Sequence, residues 1–193
     1  MSDNFKAKLK NVKSSLIGSW ITLAHPAIAE IMARAGFDWL AVDMEHSVIT
    51  IREAEELIRV IDLAGVVPLV RLTSNNSDQI KRIMDAGAHG IIVPMVNSAK
   101  DAINAVEAIK YPPMGKRGIG LARAQGWGTK FQEYFDWEKQ EKRRHLFRLW
   151  LSTPDGRPLP QEYGERFHSL EAGQRPVGGI LVPGTKLIAP LDA

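Results

Sequence analysis

There is no cysteine among the 193 residues, which excludes disulfides, thiolate metal centres and a cysteine nucleophile. No apolar run approaches the roughly 20 residues that a membrane-spanning helix needs. The N-terminal stretch MSDNFKAKLKNVKSSLIGSW starts basic and amphipathic but holds no signal-peptide core. These absences predict a soluble, cytoplasmic protein with no membrane partner. An excess of one charge is also lacking. The formal net charge is only +3, and the pI of about 9.2 reflects a slight surplus of Lys and Arg over acids. The basic residues are interleaved with acidic ones, which argues against a nucleic-acid partner. Hydrophobic residues make up 45% of the chain, enough to build the core of one ordinary domain, or of a domain plus a fragment.

What is present, up to about Lys110, is a regular alternation. LIGSWITL reads as a strand and HPAIAEIMARAG as a helix, with Pro26 in its first turn and Gly36 at its end. FDWLAVDM is a second strand, and TIREAEELIRVIDLAG repeats its apolar residues every three or four positions up to Gly65. VVPLVRL is a third strand. NSDQIKRIMDAG is a third helix, with Asn76 or Ser77 as its cap and Gly87 as its stop. HGIIVPMV and SAKDAINAVEAIKY complete a fourth pair, the helix opened by Ser98. Strands joined by crossover helices must run parallel, and apolar runs without strict alternation fit strands covered on both faces. An open doubly wound sheet would carry a glycine-rich phosphate loop after the first strand, but LAHPAI stands there instead. The reading is an α/β chain with about four βα units of a (β/α)8 barrel.

Polar residues gather just past the strand ends, where a barrel carries its active site. His25 follows the first strand, Asp43, Glu45 and His46 the second, and Arg71 ends the third. His25, before a proline, reads as a loop or cap residue. His89 precedes a strand, at the end of a barrel concerned with stability, and reads as structural. Asp62 and Asp85 fall on helices and read as solvated. Asp43, Glu45 and His46 are different, because half-buried polar groups cost several kcal/mol unless they are paired or at work. Arg71 suits capture of a carboxylate or of a developing enolate. An imidazole exchanges protons near neutral pH, and an acid beside it can fix its tautomer. Proton transfer on a small anionic carbonyl compound is the chemistry these groups suggest.

FDWLAVDMEHS, VPLVRL, DAGAHGIIVPMVNSAKDA and YPPMGKRGIG, taken together, resemble the HpcH/HpaI aldolase family, the class II pyruvate aldolases, over about residues 17–134. The resemblance implies a TIM barrel, often hexameric. It also implies an aldolase or lyase activity on 2-keto-3-deoxy or 4-hydroxy-2-oxo acids, with pyruvate and an aldehyde as partners and Mg²⁺ or Mn²⁺ as cofactor. His46 would be the acid/base acting through metal-bound water, and Asp43 would support it. Arg71 would hold pyruvate and stabilise its enolate, and Trp20 would line the pocket. Arg117 and Gly118 match a family segment without an assigned chemistry. The implied metal ligands are a Glu and an Asp on the fifth and sixth strands. Glu138, Glu141 and Asp155 do not stand in that context, so the ligands are not identified.

From about Asp136 the alternation is read as ceasing, which divides the chain into an aldolase-like half barrel at 1–137 and a basic, irregular, Gly/Pro-rich tail at 138–193. In RRHLFRLWLSTPDGRPLP, Arg144 and Arg148 stand four residues apart, on one side of a helix or in an irregular turn. A solvated basic face over Leu146, Leu149 and Trp150 accounts for that spacing. The segment also resembles the C-terminal end of the TauD/TfdA iron- and 2-oxoglutarate-dependent dioxygenases. That likeness implies Arg144 as the oxoglutarate arginine and Arg148 as its neighbour on an anionic group. The iron triad of that family belongs upstream, where this chain is aldolase-like. Two partial enzymes joined near residue 138 suggest a chimeric or truncated chain. Three functions stay open: an aldolase lacking its metal strands, a dioxygenase fragment, and a non-catalytic oligomerising or binding module. A half barrel leaves strand edges and an apolar interior uncovered. We therefore predict a homo-oligomeric or marginally stable protein by sedimentation and thermal melting; a monodisperse monomer with a sharp melt would contradict this.

Overall fold

The computed structural model describes residues 16–139 and 146–149. Its elements run β1 (Gly18–Ile21), α1 (Pro26–Arg34), β2 (Trp39–Asp43), α2 (Ile51–Leu63), β3 (Val67–Arg71), α3 (Ser77–Asp85), β4 (Gly90–Val93) and α4 (Ala99–Ile109). A 3-10 segment (Arg123–Gly128), α5 (Phe131–Lys139) and β5 (Leu146–Leu149) follow. The strands form one sheet in the order β1-β2-β3-β4-β5, each parallel to the next. An order without reversal, built from right-handed crossovers, puts every connecting helix on one face. That is the winding of a barrel and not of a doubly wound sheet.

Local chemistry starts each helix where it does. The His25 Nδ1 accepts from the Ala27 N–H at 3.2 Å, with Pro26 at the first helical position. Thr50 and Glu53 form a capping box at α2, as Ser98 and Asp101 do at α4, and Asn76 caps α3 through the Gln79 N–H. Gly36 and Gly65 leave α1 and α2 at φ +94° and +80°, a left-handed turn that a side chain would strain.

β2, β3 and β4 are apolar up to the charged residues that end β2 and β3, because both faces are covered. Leu40, Val42, Val70, Ile91 and Val93 pack toward Leu57, Ile58, Ile61, Ile80, Ile83 and Met84 of the helices. Their alternates Trp39, Ala41, Val67, Leu69 and Ile92 form a second cluster with Trp20 on the other face. Gly18 sits in register with Trp39, and a Cβ there would lie 2.0 Å from the indole. Only glycine admits that ring.

Three sequence expectations are corrected. Asp62 and Asp85 are not free solvated acids but partly buried members of ion pairs. Asp62 takes Arg123 Nη2 at 2.5 Å and His89 Nε2 at 3.2 Å, and Asp85 takes Arg117 Nη2 at 2.5 Å. Helix periodicity alone cannot show that the 117–128 segment returns beneath the helix ends. The fully buried Arg117 also lies 4.7 Å from the Tyr111 ring and bonds the Tyr134 hydroxyl. Second, the alternation does not cease near Asp136: α5 runs across the 137/138 boundary and β5 adds a fifth parallel strand. Third, Arg148 lies on that strand and not on a helix. The open edge of β4 offers hydrogen-bond partners that outweigh the four-residue arginine spacing. Arg144 and the remainder of the tail lie outside the described residues. Among the described residues no helix is long and apolar enough to cross a membrane.

Burial would raise the Asp62 carboxyl, but hydrogen bonds and charge from His89 and Arg123 hold it down from 3.8 to about 2. A folded-state value below the unfolded one means stability that is present above about pH 4 and lost as pH falls toward 2. We predict that Asp62→Asn lowers unfolding free energy by about 2 kcal/mol at pH 7 and flattens the acid limb between pH 4 and 2. Urea melts across that range check both.

Candidate active site

The site begins with a register. Asp43, the last residue of β2, pairs with Arg71, the last residue of β3. Cross-strand partners share a face of the sheet, so the carboxylate and guanidinium emerge together at the C-terminal rim. Arg71 Nε donates to Asp43 Oδ1 at 2.9 Å and Nη2 donates to Oδ2 at 2.6 Å, a fork-on-fork pair. One row deeper, Trp20 is in register with the small Ala41, and its ring lies 4.5 Å from the Arg71 guanidinium carbon. The guanidinium is thus gripped at one edge and supported across its face. Among the described residues its Nη1 has no hydrogen-bond partner.

The loop after β2 is tied to the same carboxylate. Asp43 Oδ1 accepts from the N–H of Glu45 at 3.0 Å and of His46 at 3.2 Å. The Ser47 hydroxyl donates to the Asp43 carbonyl and accepts the Ile49 N–H at 3.1 Å. Asp43 is 2% exposed. Burial disfavours its charged form, but the Arg71 hydrogen bonds and charge, with the two main-chain donors, hold the carboxyl below its ordinary value. The same pairing raises the Arg71 guanidinium still further. Asp43 thus accepts hydrogen bonds on both oxygens and anchors the loop and the arginine.

His46 and Glu45 complete the rim. The His46 side chain is 69% exposed, and its Nε2 stands 3.7 Å from Glu45 Oε2. That oxygen lies 3.4 Å from Arg71 Nε. The acid beside the imidazole is Glu45; Asp43, which the resemblance makes the support of His46, reaches it through its main-chain N–H. Glu45 belonged to the polar group read at the strand end, but only side-chain placement distinguishes its task from that of Asp43. His25 is turned into its helix cap. Arg148 lies on β5 across from Ile92, which is itself across from Arg71; Arg144 lies outside the described residues.

A divalent ion needs several oxygen or nitrogen ligands converging on one point. Among the described residues no three His, Asp or Glu side chains are grouped closely enough to hold one, and the Asp43 oxygens are already taken. The rim supplies a guanidinium and an imidazole, and the described residues do not supply an ion's ligand set.

Parallel strands in sequential order, helices on one face and polar groups collected past the strand ends define a barrel-type α/β protein with charged side chains gathered at its C-terminal rim. Residues 16–153 match the HpcH/HpaI aldolase/citrate lyase family, to which this chain belongs. It is 42% identical over 118 residues to the 2-dehydro-3,6-dideoxy-6-sulfogluconate aldolase of Pseudomonas putida, covering 61% of this chain and 46% of that protein. It is 41% identical over 136 residues to the 4-hydroxy-2-oxo-heptane-1,7-dioate aldolase of Salmonella typhimurium, covering 69% and 51%. A solved HpcH/HpaI aldolase/citrate lyase family protein from Burkholderia cenocepacia superposes with a TM-score of 0.64 at 32% identity, over 70% of this chain and 55% of that one. The chain spans about half the length of the curated relatives it matches.

Removing one partner of a buried ion pair strands the other. Arg71 retains 19% side-chain exposure, which softens that cost. We expect Asp43→Ala to destabilise the fold by about 2 kcal/mol and to broaden the Arg71 Nε–H and His46 amide resonances. Unchanged melts and spectra would contradict the anchor role.

Proposed function

We propose that this chain binds a small 2-oxo acid such as pyruvate at the Arg71–His46 rim. The complete site then makes or breaks a C–C bond to an aldehyde through the pyruvate enolate. The observation that carries this reading is the Arg71 guanidinium, bonded by Asp43, stacked on Trp20 and linked through Glu45 to an imidazole. Membership of the aldolase family and the aldolases among its relatives support it.

Arg71 has two tasks in this chemistry. Its guanidinium receives the substrate carboxylate, and it balances the charge that builds on the C2 oxygen as the enolate forms. Because Asp43 and Trp20 fix its plane beforehand, little reorganisation remains to be done when that charge appears. In the cleavage direction the C4 hydroxyl loses its proton, the C3–C4 bond breaks, and its electron pair moves onto C2–O as the enolate. C3 then takes up a proton. His46, exposed at the rim, is the group that accepts and returns these protons. Trp20 walls one side of the binding place. A divalent ion supplies Lewis-acid polarisation of the ketone when bound; its ligands would come from outside the described residues.

Deuterium exchange at C3 of pyruvate, with Mg²⁺ or Mn²⁺ present, reads enolate formation without needing the aldehyde. We expect exchange above the buffer rate, reduced on the order of 10²-fold in His46→Ala. Arg71→Ala should weaken pyruvate binding about tenfold or more, by loss of a charge-assisted hydrogen bond. Exchange equal to buffer, with pyruvate still quenching Trp20 fluorescence, would reduce the chain to a binding module.

A further inference from the structure

Asp43 and Glu45 bring two carboxylates to the same rim, two residues apart, yet their surroundings differ. Asp43 is buried, and its oxygens accept from Arg71 and from two main-chain N–H groups. None of these bonds reaches the imidazole. Glu45 is half-buried, and its Oε2 lies between the two working groups, 3.4 Å from Arg71 Nε and 3.7 Å from His46 Nε2. These are contacts at ion-pair range, of the kind that tighten when a substrate closes a site.

We propose that Glu45 is a positioning residue of this site, tethering the His46 imidazole beside the Arg71 guanidinium and stabilising the imidazolium that forms as a proton is transferred. The assignment rests on the pyruvate reading for its chemistry, but the tether itself is a property of the free protein. The reasoning is one of charge and mobility. His46 is mostly exposed, and a histidine at an exposed loop position samples several rotamers unless something holds it. The nearest side chain able to do so is Glu45. Asp43 and Glu45 set two carboxylates against the single Arg71 guanidinium at the rim. A carboxylate 3.4 Å from the guanidinium therefore opposes an incoming 2-oxo acid while favouring a positive charge on the imidazole. An interaction of that kind weakens ground-state binding and assists proton transfer.

Glu45→Gln keeps the shape and removes the charge. It should lower KM for pyruvate in the exchange reaction about threefold, because a repulsive charge is gone, and lower kcat about tenfold. A purely structural residue would not move the two constants in this way. Constants within about twofold of wild type, or a raised KM with unchanged kcat, would overturn the proposal. A second measurement needs no turnover: the ¹³C relaxation order parameter of the His46 ring. It should fall from a rigid value near 0.85 to below about 0.6 in Glu45→Ala. Equal ring order in both proteins would overturn the tether. Ring order lost in the variant, with no exchange even in the wild type, would sink the pyruvate reading while keeping the tether.

Discussion

The rim depends on a single cross-strand pairing, Asp43 against Arg71. Two parallel strands set in register bring a carboxylate and a guanidinium to the same height on the same face. The pairing then organises everything around it. It holds the arginine plane against Trp20, it closes the β2–α2 loop through two main-chain hydrogen bonds, and it sets down Glu45 and His46 at the mouth. A slip of one residue between β2 and β3 would turn one partner to the helix face, where a charge finds only aliphatic side chains.

At the opposite end of the strands, charge has a different use. Arg117 and Arg123 reach back from the segment after α4 to Asp85 and Asp62, and His89 shares Asp62. Arg117 is sealed between two tyrosine rings, and the buried Gln125 bonds the Tyr111 hydroxyl. This network ties a long connection to the ends of α2 and α3 at a place remote from the rim. In barrel enzymes generally the active site lies at the C-terminal rim, while the opposite face serves stability.

Much of this was legible in the residues themselves. The caps His25, Asn76 and Ser98 and the exits Gly36, Gly65 and Gly87 mark the helix ends, because orphan backbone groups demand such residues. Four βα units in sequence force a parallel sheet, and the lack of a phosphate loop turns the choice toward a barrel. The rim group Asp43, Glu45, His46 and Arg71 follows from polar residues placed where hydrophobic strands stop. The segment after α4 was less legible. Its ion pairs join residues more than thirty apart in sequence, Arg117 with Asp85 and Arg123 with Asp62, and no local period reports such a contact. β5 was missed for a related reason: a short, arginine-interrupted apolar run becomes a strand only where an open edge receives it.

The sequence by itself determined where the elements lie, which faces are apolar, and that acids, a histidine and an arginine meet at strand ends. Those are consequences of local stereochemistry and of hydrophobic period. Only the tertiary structure decided which acid serves which partner. Asp43 and Glu45 are both carboxylates in one short loop, and nothing in their spacing separates them. Burial and register commit Asp43 wholly to Arg71 and the backbone, and leave Glu45 facing the imidazole. That difference arises from contacts across strands, which depend on how the chain packs and not on what precedes or follows each residue.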